Sequence, residues 1–269
     1  MNIEVLYPEV CNLYGDLGNI EYLKQTLENA GVEVNITNTS LKSVPAFVSE
    51  KMNLIYMGTT TEKGIELVIN ALRPYVDKLK SLIDEGQFIL LTGNALDIFG
   101  TYIDSDTSPR IEGLDILKTH SEYHMLRRHN SFYLGNYNTD GTEGIKIVGF
   151  KSIFGHTYAD DNDGDETNTA YAQQGWFNTL RGVGRNPGIV DNRGNREVKP
   201  EYLPEGFKVN NLYATYLLGP LLPLNPLLTK WLIKQLLCID AEPAYFETAM
   251  KAYEERIKDF TNEHLNPIY

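Results

Sequence analysis

The chain has 269 residues, enough for one large domain or two modest ones with a real core. Its formal net charge of −12 argues against a nucleic-acid partner, because phosphate binding needs a basic surface. No apolar run reaches the roughly 18 residues of a membrane span, and none is expected.

The two cysteines, Cys11 and Cys238, lie far apart and suggest reduced thiols rather than a disulfide framework. The first residues lack the basic start and long apolar core of a signal peptide, so a cytoplasmic location is expected. Neither CxxC nor paired-His spacing occurs; no metal and no cofactor are expected.

Residues 3–7 read as a first strand. Residues 18–30 have helical periodicity, with Ile20, Leu23 and Leu27 on one face and a stop at Gly31. Residues 32–36 and 53–58 read as two more strands. Residues 65–85 read as helix, bent or broken at Pro74 and ended by Gly86. Residues 88–91 form a continuous apolar strand, as for one buried on both faces. This alternation predicts an α/β fold with a doubly wound, mostly parallel sheet and helices on both faces. Ligands on such folds bind beyond the carboxyl ends of the strands, here the loops at 11–18, 58–64 and 92–95.

The second half is less regular. Residues 145–150 and 211–217 look like strands. Between them a polar segment, about 159–206, holds the acidic run 160–166. With Gly164 at the turn of a calcium loop, the first ligand would be Ala159 and the last Ala170, so that pattern fails. A solvated acidic loop, mobile or facing a partner, is the expectation. Helices over 226–237 and 242–262 close the chain, the second packed along one face. The reading is one domain over 1–269 with C-terminal helices at about 225–262.

The segment 87–100 carries the chemistry. It reads as strand, Gly turn, helix, the shape of a nucleophile elbow. The turn should expose one side chain beside backbone N–H groups that stabilise an oxyanion. That side chain is read as Thr92, with the N–H groups at Gly93 and Asn94. The plain alternative is that Thr92 caps the following helix.

Four stretches resemble class I glutamine amidotransferases of the cobyric acid synthase type. Residues 12–19, Asn-Leu-Tyr-Gly-Asp-Leu-Gly-Asn, resemble the family's N-L-Y-G-D-x-G-N. The elbow stands where the family reads C-G-G-Y-Q. Residues 149–158 resemble G-F-E-N-H-x-G-R-T-Y. Residues 211–226 resemble N-x-x-G-T-Y-x-H-G-P-L-L-P-x-N-P. Within the family, the glutaminase subunits of bacterial lipid II isoglutaminyl synthase are the branch most resembled. The resemblance implies the class I amidotransferase fold. It also implies a partner: a Mur-ligase-like, ATP-dependent amidating subunit that acts on cell-wall precursor.

The resemblance also implies a Cys–His pair, and here the chain departs from it. The Cys position falls on Thr92 and the His position on Leu218. Thiolate attack and proton transfer to ammonia would both be lost, which costs about a million-fold in rate. The family's G-G-G-Q-D is here Gly58-Thr59-Thr60-Thr61-Glu62. Ile153 replaces a His, and Asn94 and Ala95 replace Gly and Tyr. A subunit without glutaminase activity is the leading expectation.

Two alternatives stay open. One is an enzyme using another group, with Cys11 or His156 as candidates. The other is a non-catalytic sensor that binds glutamine or another small carboxylate. Arg128, or its neighbour Arg127 after His124, lies where the family carries an arginine near its substrate. Asp16 is expected to cap or bond backbone N–H groups in its loop.

Overall fold

The structure is a computed structural model that describes residues 1–138, 144–160, 175–185 and 204–268. The first half builds the predicted alternation: β1 (Asn2–Leu6), α1 (Gly18–Asn29), β2 (Asn35–Thr39), β3 (Leu54–Met57), α2 (Glu62–Leu72), α3 (Val76–Asp84) and β4 (Ile89–Thr92). Pro74 does break the long helix. Arg73–Tyr75 form a single tight turn between α2 and α3, because proline has no N–H for the helical ladder. Gly31 and Gly86 end α1 and α3 at φ +78° and +83°, a conformation cheap only for glycine.

After β4 come α4 (Ala95–Ile98), β5 (Tyr102–Ser105), β6 (Ile111–Glu112), β7 (Thr119–Tyr123), β8 (His129–Tyr137), β9 (Ile145–Ile153), β10 (Gly155–Ala159) and β11 (Asn178–Arg181). Then β12 (Phe207–Val209) and β13 (Leu212–Thr215) return to the first sheet. Its order is β12-β13-β4-β3-β1-β2. Only β12 runs antiparallel to its neighbour.

The central strands β3 and β4 are buried on both faces, and the alternation along them sorts side chains into two cores. Ile55, Met57, Ile89 and Leu91 pack with Ile65, Val68 and Ile69 of α2 and Leu79 of α3. Leu54, Tyr56 and Leu90 pack on the other face with Ile20, Leu23 and Leu27 of α1. Helices therefore cover both faces.

Among the described residues the middle of the chain adds two sheets, β10-β7-β5-β6 and β11-β8-β9. Sequence reading found only one strand there, at 145–150, and β9 runs further, to Ile153. The missed strands carry polar side chains at buried positions, such as Thr119 and Ser121, so their period-2 signal is not hydrophobic. Tyr133, Tyr137 and Ile147 of the smaller sheet pack with Phe177 and Tyr213 into the second core.

The chain closes with α5 (Leu221–Leu224), α6 (Pro226–Leu237) and α7 (Phe246–Thr261). The last helix begins later than residue 242 and buries Tyr253 and Phe260 along one side. Phe260 stacks on Phe132 at 4.4 Å between ring centroids. No helix among the described residues is long and apolar enough to cross a membrane.

The acidic run is anchored where it begins. Asp160 accepts from Thr101 Oγ1 at 2.8 Å and lies 2.7 Å from His120 Nδ1. Its first carboxylate is therefore tied down. Residues 161–166 lie outside the described residues.

Candidate cleft at the carboxyl edge of the sheet

The turn after β4 is the predicted elbow, with a one-residue difference at its apex. Thr92 is the last residue of β4 and pairs with Thr215 across β13. It is 1% exposed. Its hydroxyl donates to Asp16 Oδ1 at 3.0 Å and lies 2.9 Å from the Tyr56 hydroxyl. Thr92 is therefore neither the exposed apex nor a helix cap. The left-handed residue of the turn is Gly93, at φ +62°. Asn94 precedes α4 as its N-cap residue without a side-chain cap bond.

Beyond this turn lies a cleft to which all four family-like stretches contribute. Tyr14 comes from the first, Gly93 and Asn94 from the second, Ser152 to Gly155 from the third, and Tyr216 and Leu218 from the fourth. Thr59 and Thr60, from the loop after β3, complete its floor. The cleft volume is about 20 Å³, room for one water and not for an amino acid. Leu218 is 6% exposed and bridges antiparallel to Phe150. The sequence brings these segments together by small-residue contacts. A Cβ on Gly18 would stand 2.8 Å from Pro220 Cγ. Asn19 Oδ1 accepts the Leu222 N–H at 2.8 Å.

Asn94 was expected to offer its backbone N–H to a ligand, and its side chain fixes the turn against the loop after β3. Its amide donates to the Thr60 carbonyl and accepts the Thr60 N–H, each at 2.9 Å. Arg128 lies at the mouth of the cleft. Its Nη1 donates to the Tyr14 hydroxyl at 3.1 Å and to Ser152 Oγ at 3.2 Å. Its guanidinium carbon sits 4.3 Å from the centre of the Phe154 ring. All three partners line the cleft, so a bound carboxylate could meet this cation. Arg127 and His124 are exposed and do not line it.

Two buried carboxylates hold the surroundings. Asp16 Oδ1 accepts from both Thr59 and Thr92, and Oδ2 accepts the Tyr14 N–H at 3.2 Å. Desolvation pushes its pKa up against these bonds. Asp97 was not singled out from the sequence. Ser121 and Tyr123 donate to it at 2.5 Å each, and Thr157 and Tyr216 also donate. Burial raises its pKa while the four hydroxyls lower it. The available signal was an acidic residue in the otherwise apolar run 95–99.

Neither Cys11 nor His156 lines the cleft. Cys11 is buried in the core and its thiol is pushed up to about 12 by desolvation, with Asp16 and Glu9 adding to it. His156 is held down to about 3 by desolvation, then by His129, Lys151 and His124. At neutral pH it is an uncharged imidazole, and its ring packs edge-on to His129 at 5.4 Å.

No family model matches the chain. It is 27% identical over 224 residues to the GatD subunit of lipid II isoglutaminyl synthase (glutamine-hydrolyzing) from Staphylococcus aureus (strain N315), covering 83% of this chain and 79% of that protein. It is 24% identical over 228 residues to the subunit of the same name from Streptococcus pneumoniae (strain ATCC BAA-255 / R6), covering 84% and 76%. Among solved structures, a glutamine amidotransferase aligns with TM-score 0.48 at 14% identity, over 88% of this chain and 99% of that one. Another, from Thermotoga maritima, aligns with TM-score 0.48 at 9% identity, over 95% and 92%. Over most of its length the chain is similar to GatD subunits of glutamine-hydrolysing lipid II isoglutaminyl synthase.

Proposed function

We propose that the chain is a glutamine-amidotransferase-like subunit, in one domain of the class I amidotransferase fold, that does not hydrolyse glutamine. Its partner on this reading is a Mur-ligase-like, ATP-dependent subunit that amidates a cell-wall precursor in the cytoplasm. The similarity to two GatD subunits supports the assembly.

One observation carries the loss of activity. The cleft offers Gly93 at the turn and Leu218 beside it, so it holds neither a thiol nor an imidazole. Amide hydrolysis by this route needs both, one to attack carbon and one to move the proton. Thr92, the residue matched to the family's nucleophile, is committed to Asp16 instead.

The test is ammonia release from glutamine, with and without the co-purified partner. No release is expected under either condition. Turnover near roughly 1 per second would overturn the proposal.

A second reading is favoured by Arg128 alone: the cleft mouth holds a small carboxylate without reacting with it. The reading then becomes that of a ligand-responsive subunit, and the two readings are compatible.

A further inference from the structure

We infer that Thr59 closes the elbow: its side chain fills the space that any side chain on residue 93 would need, so position 93 is held to glycine. This deepens the non-hydrolysing reading of the same cleft, and it stands on geometry of its own. An ideal Cβ placed on Gly93 would meet Thr59 Oγ1 at 1.9 Å, Cβ at 2.8 Å and Cγ2 at 2.9 Å. All three atoms lie below the closest approach that real Cβ atoms make.

Thr59 has little freedom to retreat. It is β-branched and stiff at χ1. It is buried, and its hydroxyl donates to Asp16 Oδ1 at 3.0 Å. Asp16 is itself fixed by Thr92 and by the Tyr14 N–H. A Cβ on Gly58, the residue before Thr59, would lie 2.6 Å from both Asp16 Cβ and the Cys11 carbonyl, so the loop cannot slide toward Asp16. The result is a wedge: Asp16 holds Thr59, and Thr59 holds residue 93 bare.

The consequence is chemical. A strand–turn–helix elbow presents its reacting side chain from the strained residue of the turn, which is Gly93 here. That residue cannot regain a nucleophile by its own substitution. Position 59 must become small in the same step.

The experiment is a double-substitution cycle on the full chain, with Gly93→Cys measured in the native background and in Thr59→Gly. Unfolding equilibria and iodoacetamide labelling at residue 93, read by peptide mass spectrometry, are both followed. In the native background Gly93→Cys should shift the unfolding equilibrium strongly or prevent folding. In Thr59→Gly the same change should be less harmful by about tenfold or more in that equilibrium. The thiol at 93 should then be labelled in the folded protein.

An equal loss in both backgrounds would overturn the inference, including the case where Gly93→Cys fails to fold in each. A native-background Gly93→Cys protein as stable as wild type would overturn it too. Ammonia release by the wild-type chain would refute the non-hydrolysing reading and leave this cycle unaffected.

Discussion

Thr92 Oγ1 stands 3.0 Å from Asp16 Oδ1, and this bond joins the end of β4 to the loop after β1. The Tyr56 hydroxyl lies 2.9 Å from Thr92 and donates to the Asp16 carbonyl, while Asn19 donates to Tyr56. Asn19 in turn holds the Leu222 N–H. One buried hydrogen-bond chain therefore links the loop after β1, strands β3 and β4, and the start of α5.

On the non-hydrolysing reading, placing the amidotransferases' Cys and His at the matched positions should not produce hydrolysis. Thr92→Cys with Leu218→His would put the imidazole in the cleft and the thiol among Asp16 and Tyr56. A neighbouring carboxylate also raises a thiol pKa. The expected ammonia release is no greater than wild type. Loss of the hydroxyl should cost about 1–3 kcal/mol of stability, read by urea unfolding, because a buried acceptor loses its donor. Measurable turnover in this pair would show that residue 92 does face the substrate.

The sequence carried the centre of the sheet because β3 and β4 are buried on both faces, and Pro74, Gly31 and Gly86 marked the helix ends; the polar edge strand β2 lies at Asn35–Thr39 and not at 32–36. It carried the cleft because the family-like stretches sit in loops at one sheet edge. It did not carry the apex residue. A one-residue slip between Thr92 and Gly93 leaves the apolar pattern unchanged, and only the backbone conformation decides between them. Asp97 and Thr59 were hidden for a related reason. Their roles depend on Ser121, Tyr123, Thr157 and Tyr216 in one case and on Asp16 in the other, and these partners come from distant segments.

The Lys151–Glu205 pair offers a second test. Both side chains are fully buried. Lys151 Nζ donates to the Glu205 carboxylate and to the Gly184 carbonyl, and Glu205 also accepts from Thr215 Oγ1 and the Tyr216 N–H. Desolvation alone pulls the Lys151 pKa down, and Glu205 opposes that. Lys151→Met should cost about 3–5 kcal/mol by stranding a buried carboxylate. Adding Glu205→Gln should recover part of the loss in a denaturant titration. A double variant no better than the single would mean that the pair's attraction contributes little.

The histidines predict acid sensitivity. Burial holds His129 at about 4 and His156 at about 3, against an ordinary value near 6.5. Between about pH 6.5 and pH 4 the unfolded chain therefore binds protons that the folded chain refuses, so stability falls as the pH falls. Asp16 and Asp97, with raised pKa values, act in the opposite sense over the range just above the ordinary carboxylate value. Replacing His156 with Phe should flatten the stability profile across that window. Thermal midpoints at a series of pH values measure it, and an unchanged slope would remove His156 from the account.

Arg128 provides the test of ligand binding. Its exposed guanidinium spends Nη1 on Tyr14 and Ser152. Nε and Nη2 make no hydrogen bond with the described residues, and together they form one edge of the planar fork that grips a carboxylate at two points. Glutamate, glutamine and acetate should therefore bind at millimolar concentration, with heat detectable by calorimetric titration. The closed cleft limits this to the mouth unless Ser152 or Phe154 moves aside. Arg128→Ala should weaken binding by roughly 1.5–3 kcal/mol, the worth of hydrogen bonds to a charged group. Arg128→Lys should recover only part of it, because an ammonium cannot make the paired contact. Fold stability should change by less than about 1 kcal/mol, since the side chain is exposed and its main packing partner is one ring. Equal heats for wild type and Arg128→Ala would remove the carboxylate from this site and leave the cleft as a closed remnant of the elbow.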